Sequence, residues 1–264
     1  AGRAGGQGIL LPRSGRLAAA GCTAYGDFEG RRARVQTAAE IVAEFAARPW
    51  RTVPATDLGA AAGVPTMLTS EEGLLYHWLG RRAQGAGVAV DLGAYAGGSA
   101  ARLLSGLALS GRPFHVHSYD RFRSSRAFWA RYLPDEPLPE VDDADLLPVV
   151  RRHLAAWEGH VPLHVGDIGE KHWTGGPIEI LSVDAAKGSA MADDIAAEFV
   201  PALVPGRSIL IQQDYLMAVQ PWLCAQMARL RDQFLPPMCR RWGWSSCVCP
   251  RSRRRRWRRR GLMG

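Results

Sequence analysis

VDLGAYAGGSA, residues 90–100, joins a short apolar run (87–93) that ends in an acid and a glycine to a helix predicted over Ala100–Leu109. A glycine turn between a strand and a helix start is where α/β proteins hold a cofactor. The spacing excludes two common ligands. A dinucleotide turn needs G-x-G-x-x-G, whose middle glycine lets backbone approach pyrophosphate, and here Tyr95 stands at that middle position, two residues after Gly93. The G-x-x-x-x-G-K-[ST] of a phosphate loop is also missing.

Outward from this turn, the pattern alternates. Further strands are predicted at 113–120 (PFHVHSYD), 161–167 (VPLHVGD), 178–184 (IEILSVD) and 207–214 (RSILIQQD). Helical stretches separate them, at Leu146–Trp157, Ala190–Leu203 and Val219–Phe234. Strands alternating with helices imply βαβ units, and so a doubly wound α/β fold with a mostly parallel sheet. Upstream, apolar positions at helical spacing from Val35 to Arg48 and a second helix opening near Ser70, Glu71 and Glu72 make a helical extension. Residues 121–148 hold four prolines and an acidic cluster, and read as an insertion or lid. The division expected is 1–34 poorly ordered, 35–67 helical extension, 68–235 ligand-binding domain and 236–264 irregular tail.

Four predicted strands end in an acid, Asp120, Asp167, Asp184 and Asp214, and Asp91 precedes the glycine turn. Ligands of open parallel sheets bind beyond the carboxyl ends of strands, so these five acids mark one rim. The turn suits S-adenosylmethionine, which has no phosphate. Asp91 suits its cationic end, and Ser99 with the helix-start amides suits its carboxylate. Asp120 could accept ribose hydroxyls, and Asp167 could sit near the adenine.

These segments resemble class I S-adenosylmethionine-dependent methyltransferases of small molecules, the catechol, caffeoyl-CoA and macrocin-type O-methyltransferases. SEEGLLYHWL (70–79) is similar to the helix that opens their domain, DLGAYAGGSA to their first cofactor motif and HSYD (117–120) to their ribose-binding strand end. ILSVDAAKGSA (180–190) and PGRSILIQQDY (205–215) are similar to the fourth and fifth strands. The resemblance implies a Rossmann-like methyltransferase fold and a cofactor site of Asp91, Gly93, Ala94, Tyr95, Gly97, Gly98, Ser99, Asp120 and Asp167. It further implies catalytic Asp184 and Lys187, with Lys187 a general base of lowered pKa, and Asp184 and Asp214 as ligands of Mg²⁺. The sequence departs from the catechol type at Ala185 and Ala186, and its QQDY (212–215) is closer to the macrocin type.

Composition sets the remaining limits. The 264 residues carry a net charge of +8, but eight arginines lie in residues 251–264, and the other 250 residues hold 25 bases and 25 acids. The basicity therefore belongs to a tail, the one feature that would hold nucleic acid. No apolar run is long enough to cross a membrane, and the first 30 residues lack the apolar core of a signal peptide. Five cysteines at 22, 224, 239, 247 and 249 match no zinc spacing and suit a cytoplasmic chain with reduced thiols. The seven histidines show no ligand spacing; Trp129, Trp173 and Trp222 are candidates for pocket lining or for packing. The chain starts without Met and reads as a fragment. After Phe234 the pattern loses strand alternation, so the antiparallel hairpin usual for the class is expected to be missing or altered, as after a frameshift.

The expected partner is a small-molecule methyl acceptor bearing a hydroxyl, such as a sugar or natural product, with a homodimer open. The rivals are transfer to another atom or to nucleic acid, and a non-catalytic binding protein working through its arginine tail.

Overall fold

The computed structural model describes residues 38–231, 233–239 and 244–248. The segment 1–34, the basic residues 251–264 and four of the five cysteine side chains lie outside what is described. The helices are α1 (Ala38–Ala47), α2 (Ser70–Arg82), α3 (Gly98–Ala108), α4 (Arg126–Tyr132), α5 (Leu147–His153), α6 (Ser189–Phe199) and α7 (Pro221–Leu230). The strands are β1 (Val88–Leu92), β2 (Val116–Asp120), β3 (Arg123–Ser124), β4 (Ala144–Asp145), β5 (Leu163–Val165), β6 (Ile178–Val183), β7 (Ile209–Gln213), β8 (Leu235–Cys239) and β9 (Trp244–Val248).

The main sheet runs in the order β5-β2-β1-β6-β7-β9-β8, and β3 pairs with β4 in a separate two-stranded ribbon. β5, β2, β1, β6 and β7 are parallel; β9 returns antiparallel to β7 and β8 antiparallel to β9. The central strands β1, β6 and β7 are buried along their whole length, as a sheet covered on both faces requires. Strand order reverses direction at β1, so the ends of β1, β2 and β6 open a crevice there.

The hairpin β8–β9 corrects the sequence expectation for the C-terminal end. Pro236 and Pro237 hide β8 from a pattern search, and the register shifts between Leu235 and Met238, across the prolines. An edge strand tolerates proline because one side of it needs no ladder donors.

The described part of the helical extension, from Ala38 on, packs into the main core. Ile41, Phe45, Trp50, Ala61 and Val64 belong to the same apolar core as β1, α2 and α3. The rings of Phe45, Trp50 and Trp78 lie 5.4–6.0 Å apart. The Arg82 guanidinium covers two of these rings and pairs with Glu44 at 2.8 Å. Residues 121–148 likewise contribute core: Phe122, Trp129, Leu133 and Leu146 are buried there. Trp129 lies on α4, while Phe122, Leu133 and Leu146 flank α4 and the β3–β4 ribbon, so this segment is a wall of the crevice as well as an insertion.

α2 opens on a capping box one residue earlier than the sequence suggests. Thr69 Oγ1 accepts the Glu72 backbone N–H at 3.3 Å, and the Thr69 N–H donates to Glu72 Oε2 at 2.7 Å. α2 lies directly on α3, because Gly80 and Gly106 leave room for backbone on backbone. A Cβ on Gly106 would fall on the His77 carbonyl. The α2–β1 connection is fixed from β6, where buried Glu179 accepts the N–H groups of Gln84 at 2.5 Å and Ala86 at 2.7 Å.

Candidate active site

A cleft of about 1230 Å³ opens at the carboxyl ends of the parallel strands. Its volume exceeds that of most single-ligand pockets and leaves room for two molecules side by side. Gly93, Tyr95, Asp120, Asp167, Asp184, Lys187 and Asp214 all line it, so four of the five acids expected on one rim meet there, and Asp91 does not.

The glycine turn makes one side. Gly93 adopts φ +95°, and a Cβ there would meet the Asp184 carbonyl carbon at 2.9 Å. Glycine is therefore required where the turn crosses the end of β6. Tyr95 (φ 43°) and Asp214 (φ 59°) also hold left-handed backbone, as does Phe122 (φ 51°) beside Asp120. Non-glycine residues in this region are uncommon and cluster where a site is held in a fixed shape.

Asp120 is pinned rather than loose. Its Oδ2 accepts the Tyr95 N–H at 2.9 Å and its Oδ1 accepts the Phe122 N–H at 2.8 Å. Each carboxylate oxygen keeps a further lone pair, so Asp120 can still accept a ribose diol. Asp167 caps the turn after β5, accepting the Gly169 N–H at 2.8 Å, with Ile168 next to it on the cleft wall. An apolar side chain beside an exposed acid suits a heterocycle with an exocyclic amine.

Behind the turn lies a recess of about 30 Å³ lined by Asp91, Ala94, Gly98, Ser99, Tyr76 and Ser182 among others. Asp91 is buried at 1% exposure and accepts from Ser99 Oγ at 2.6 Å. Burial pushes its carboxyl up to about 6, against hydrogen bonds from Ser99 and Ser182 that pull it down. Tyr76 reaches the recess from α2; its hydroxyl pairs with Ser182 Oγ at 2.8 Å and accepts from Gln213 Nε2 at 3.0 Å. Gly97 lines neither cavity; it holds φ +90° at the start of α3, where a Cβ would meet the Leu154 side chain at 3.1–3.2 Å. Gly98 similarly admits the loop at Pro65 and Thr66, where a Cβ would lie 2.5 Å from the Pro65 carbonyl oxygen.

Beside the turn, Asp184 and Asp214 share one cation. Lys187 Nζ contacts Asp184 Oδ1 and lies 2.6 Å from Asp214 Oδ2. Gln220 Nε2 donates to the same Asp214 oxygen at 2.8 Å. Desolvation pulls the lysine pKa down, but attraction and hydrogen bonds from the two carboxylates outweigh it, and the net shift is upward. The direction is opposite to the lowered pKa expected of a lysine base. Burial raises the Asp184 pKa more than Lys187 lowers it, leaving Asp184 the better proton acceptor of the pair.

Mg²⁺ does not fit these residues. It demands near-octahedral oxygen ligands, whereas the facing oxygens of Asp184 and Asp214 already receive N–H donors from Lys187 and Gln220. Among the described residues no group of three or more His, Cys, Asp and Glu side chains could hold a metal. S-adenosylmethionine does fit: a close-approach glycine turn, a pinned diol acceptor and an acid-lined recess stand side by side.

Several lining residues had no signal in the sequence. Phe128 and Tyr132 are two of them; each meets Tyr95, which the glycine motif did single out, edge to face with ring centroids 6.5 Å apart. Met67, Leu216 and Met217 complete an apolar mouth, with Arg121 and Arg123 at its edge. Irregular segments supply most of these, and loop position is not readable from periodicity. Of the tryptophans considered, Trp129 is in the core, Trp173 packs on His117 and Phe199, and Trp222 Nε1 donates to the Ala186 carbonyl at 2.8 Å. His117 stacks on His164 with ring nitrogens 3.0 Å apart, a packing pair on the β2–β5 edge.

No family model and no curated protein matches the chain. Solved structures do. The O-methyltransferase NovP is 16% identical, with a TM-score of 0.51 over 73% of this chain and 84% of that one. The S-adenosylhomocysteine-bound methyltransferase PaMTH1 of Podospora anserina is 13% identical, with a TM-score of 0.48 over 80% and 88%. An rRNA methylase from Streptococcus thermophilus is 12% identical, with a TM-score of 0.46 over 70% and 100%. The chain has the Rossmann-like fold of class I S-adenosylmethionine-dependent methyltransferases. A fold of this kind does not by itself fix a function.

Proposed function

We propose that the chain transfers a methyl group from S-adenosylmethionine to a hydroxyl of a small molecule. The observation that carries the proposal is the pairing of two half-sites in one cleft: pinned Asp120 beside the glycine turn, and the Asp184–Lys187–Asp214 cluster lining the same cleft. When bound, the cofactor supplies a methyl group on a positively charged sulfur.

The chain's own residues do the rest. Asp120 accepts the ribose hydroxyls and Ile168 packs on the adenine, while buried Asp91 favours the cationic end. Lys187 Nζ has three N–H donors, two of them directed at carboxylates, and the third can hold the acceptor oxygen. Asp184 takes the hydroxyl proton, a carboxylate whose raised pKa brings it nearer to working pH. Alignment of two bound molecules supplies much of the rate. The apolar and aromatic mouth, with Phe128 half exposed, suits an acceptor with an apolar or aromatic body better than a phosphate backbone, which calls for a continuous cationic surface.

Transfer of a labelled methyl group to a panel of phenols and glycosides tests the reading. Asp184→Asn should lower turnover about a hundredfold or more with cofactor binding retained. Unchanged turnover in that variant would remove Asp184 from the chemistry.

A further inference from the structure

We infer that Lys187 is the resident cation of this site: its ammonium fills the place between Asp184 and Asp214 that a divalent ion would need, so the chain neither binds nor requires one there. The inference concerns the site of the proposed reaction and rests on that reading for its consequence on turnover. The metal-binding behaviour itself does not depend on it.

The geometry is specific. Asp184 leaves the end of β6, Asp214 the end of β7, and Lys187 sits three residues past Asp184 in the turn before α6. From there its Nζ touches both carboxylates at once. The Asp214 backbone, at φ 59°, turns the side chain into this contact, and Gln220 adds a second N–H donor to the same oxygen. The space between the carboxylates is therefore lined with hydrogens carrying partial positive charge. A divalent ion entering it would meet the ammonium within contact distance and would have to displace it from Asp184 Oδ1 and Asp214 Oδ2.

An ammonium does part of what a metal would do. It supplies one positive charge and a directed N–H toward the cleft, which orients an acceptor oxygen and stabilises charge as its proton leaves. It differs in being covalently attached, so no chelator can remove it. Ala185 and Ala186 fit this arrangement, because neither adds a ligand between Asp184 and Lys187.

Mn²⁺ is the probe, with the free ion followed by paramagnetic resonance as it is titrated into the full chain. The wild type should show no saturable uptake up to about 1 mM. Lys187→Met should gain a site at least about tenfold tighter, lost again when Asp184→Asn is added. Wild-type uptake below about 0.1 mM that Asp184→Asn abolishes would overturn the inference. So would a folded Lys187→Met chain with no gain. Turnover unchanged by a chelator agrees with a lysine cation, and turnover abolished by it contradicts one. A chain that excludes Mn²⁺ as expected but transfers no methyl group would instead sink the methyl-transfer reading.

Discussion

At Asp91 a carboxylate is held in the core, 1% exposed, with its pKa raised to about 6. Its folded value lies above its unfolded value, so between about pH 4 and 6 the folded chain binds the extra proton, and stability falls as pH rises through that window. The change is on the order of 3 kcal/mol, complete above the folded pKa. Asp91→Asn cannot titrate, so chemical denaturation at pH 4 and pH 7 should show the wild type losing roughly that much relative to the variant. A difference independent of pH would mean that Asp91 stays ionised in the fold. The same residue scale shows what sequence could and could not tell. Asp91, Asp120, Asp184 and Asp214 were legible because strand ends fall at a predictable place. The bridging contact of Lys187 was not, because Asp214, 27 positions away, reaches the same nitrogen as Asp184.

Among the elements, α2 and α3 are packed more closely than side chains on both would allow. Gly106 faces the His77 carbonyl and Gly80 faces Leu103 and Leu107 backbone. Gly106→Ala should cost at least about 1–3 kcal/mol through forced separation of the helices. Thermal or urea unfolding reads it, and an unchanged midpoint would show that the helices separate freely. Since α3 begins at the glycine turn, the substitution should also weaken cofactor binding, a link from packing to function. Element existence was legible throughout the parallel part, because apolar runs and helical spacing are local. β8 was not: Pro236 and Pro237 contradict strand propensity, and only its place at the sheet edge makes them acceptable. Residues 121–148 read only as an insertion or lid for a similar reason, since nothing local marks Phe122 and Leu146 as members of the main core.

At the scale of the whole molecule, the hairpin β8–β9 covers the edge of β7, and α1 lies against β8. Removing residues 235–264 would bare the Ile209–Gln213 edge, an open template for pairing with other chains. The truncated chain should associate or precipitate on size-exclusion chromatography where the full chain does not. A monodisperse truncated chain with an unchanged profile would show that the hairpin is dispensable. The class of fold was legible from the order of motifs along the chain, whereas the depth and apolar mouth of the cleft were set by loops that only the assembled molecule brings together. The central claim, that the pinned carboxylate at the end of β2 and the glycine turn form an S-adenosylmethionine site, is tested most directly by calorimetric titration of that cofactor into the full chain and into Asp120→Ala. The account predicts saturable binding by the wild type, weakened about tenfold or more in the variant as two charge-assisted hydrogen bonds are lost. A folded wild-type chain that binds no cofactor, or binding that Asp120→Ala leaves unchanged, would contradict it.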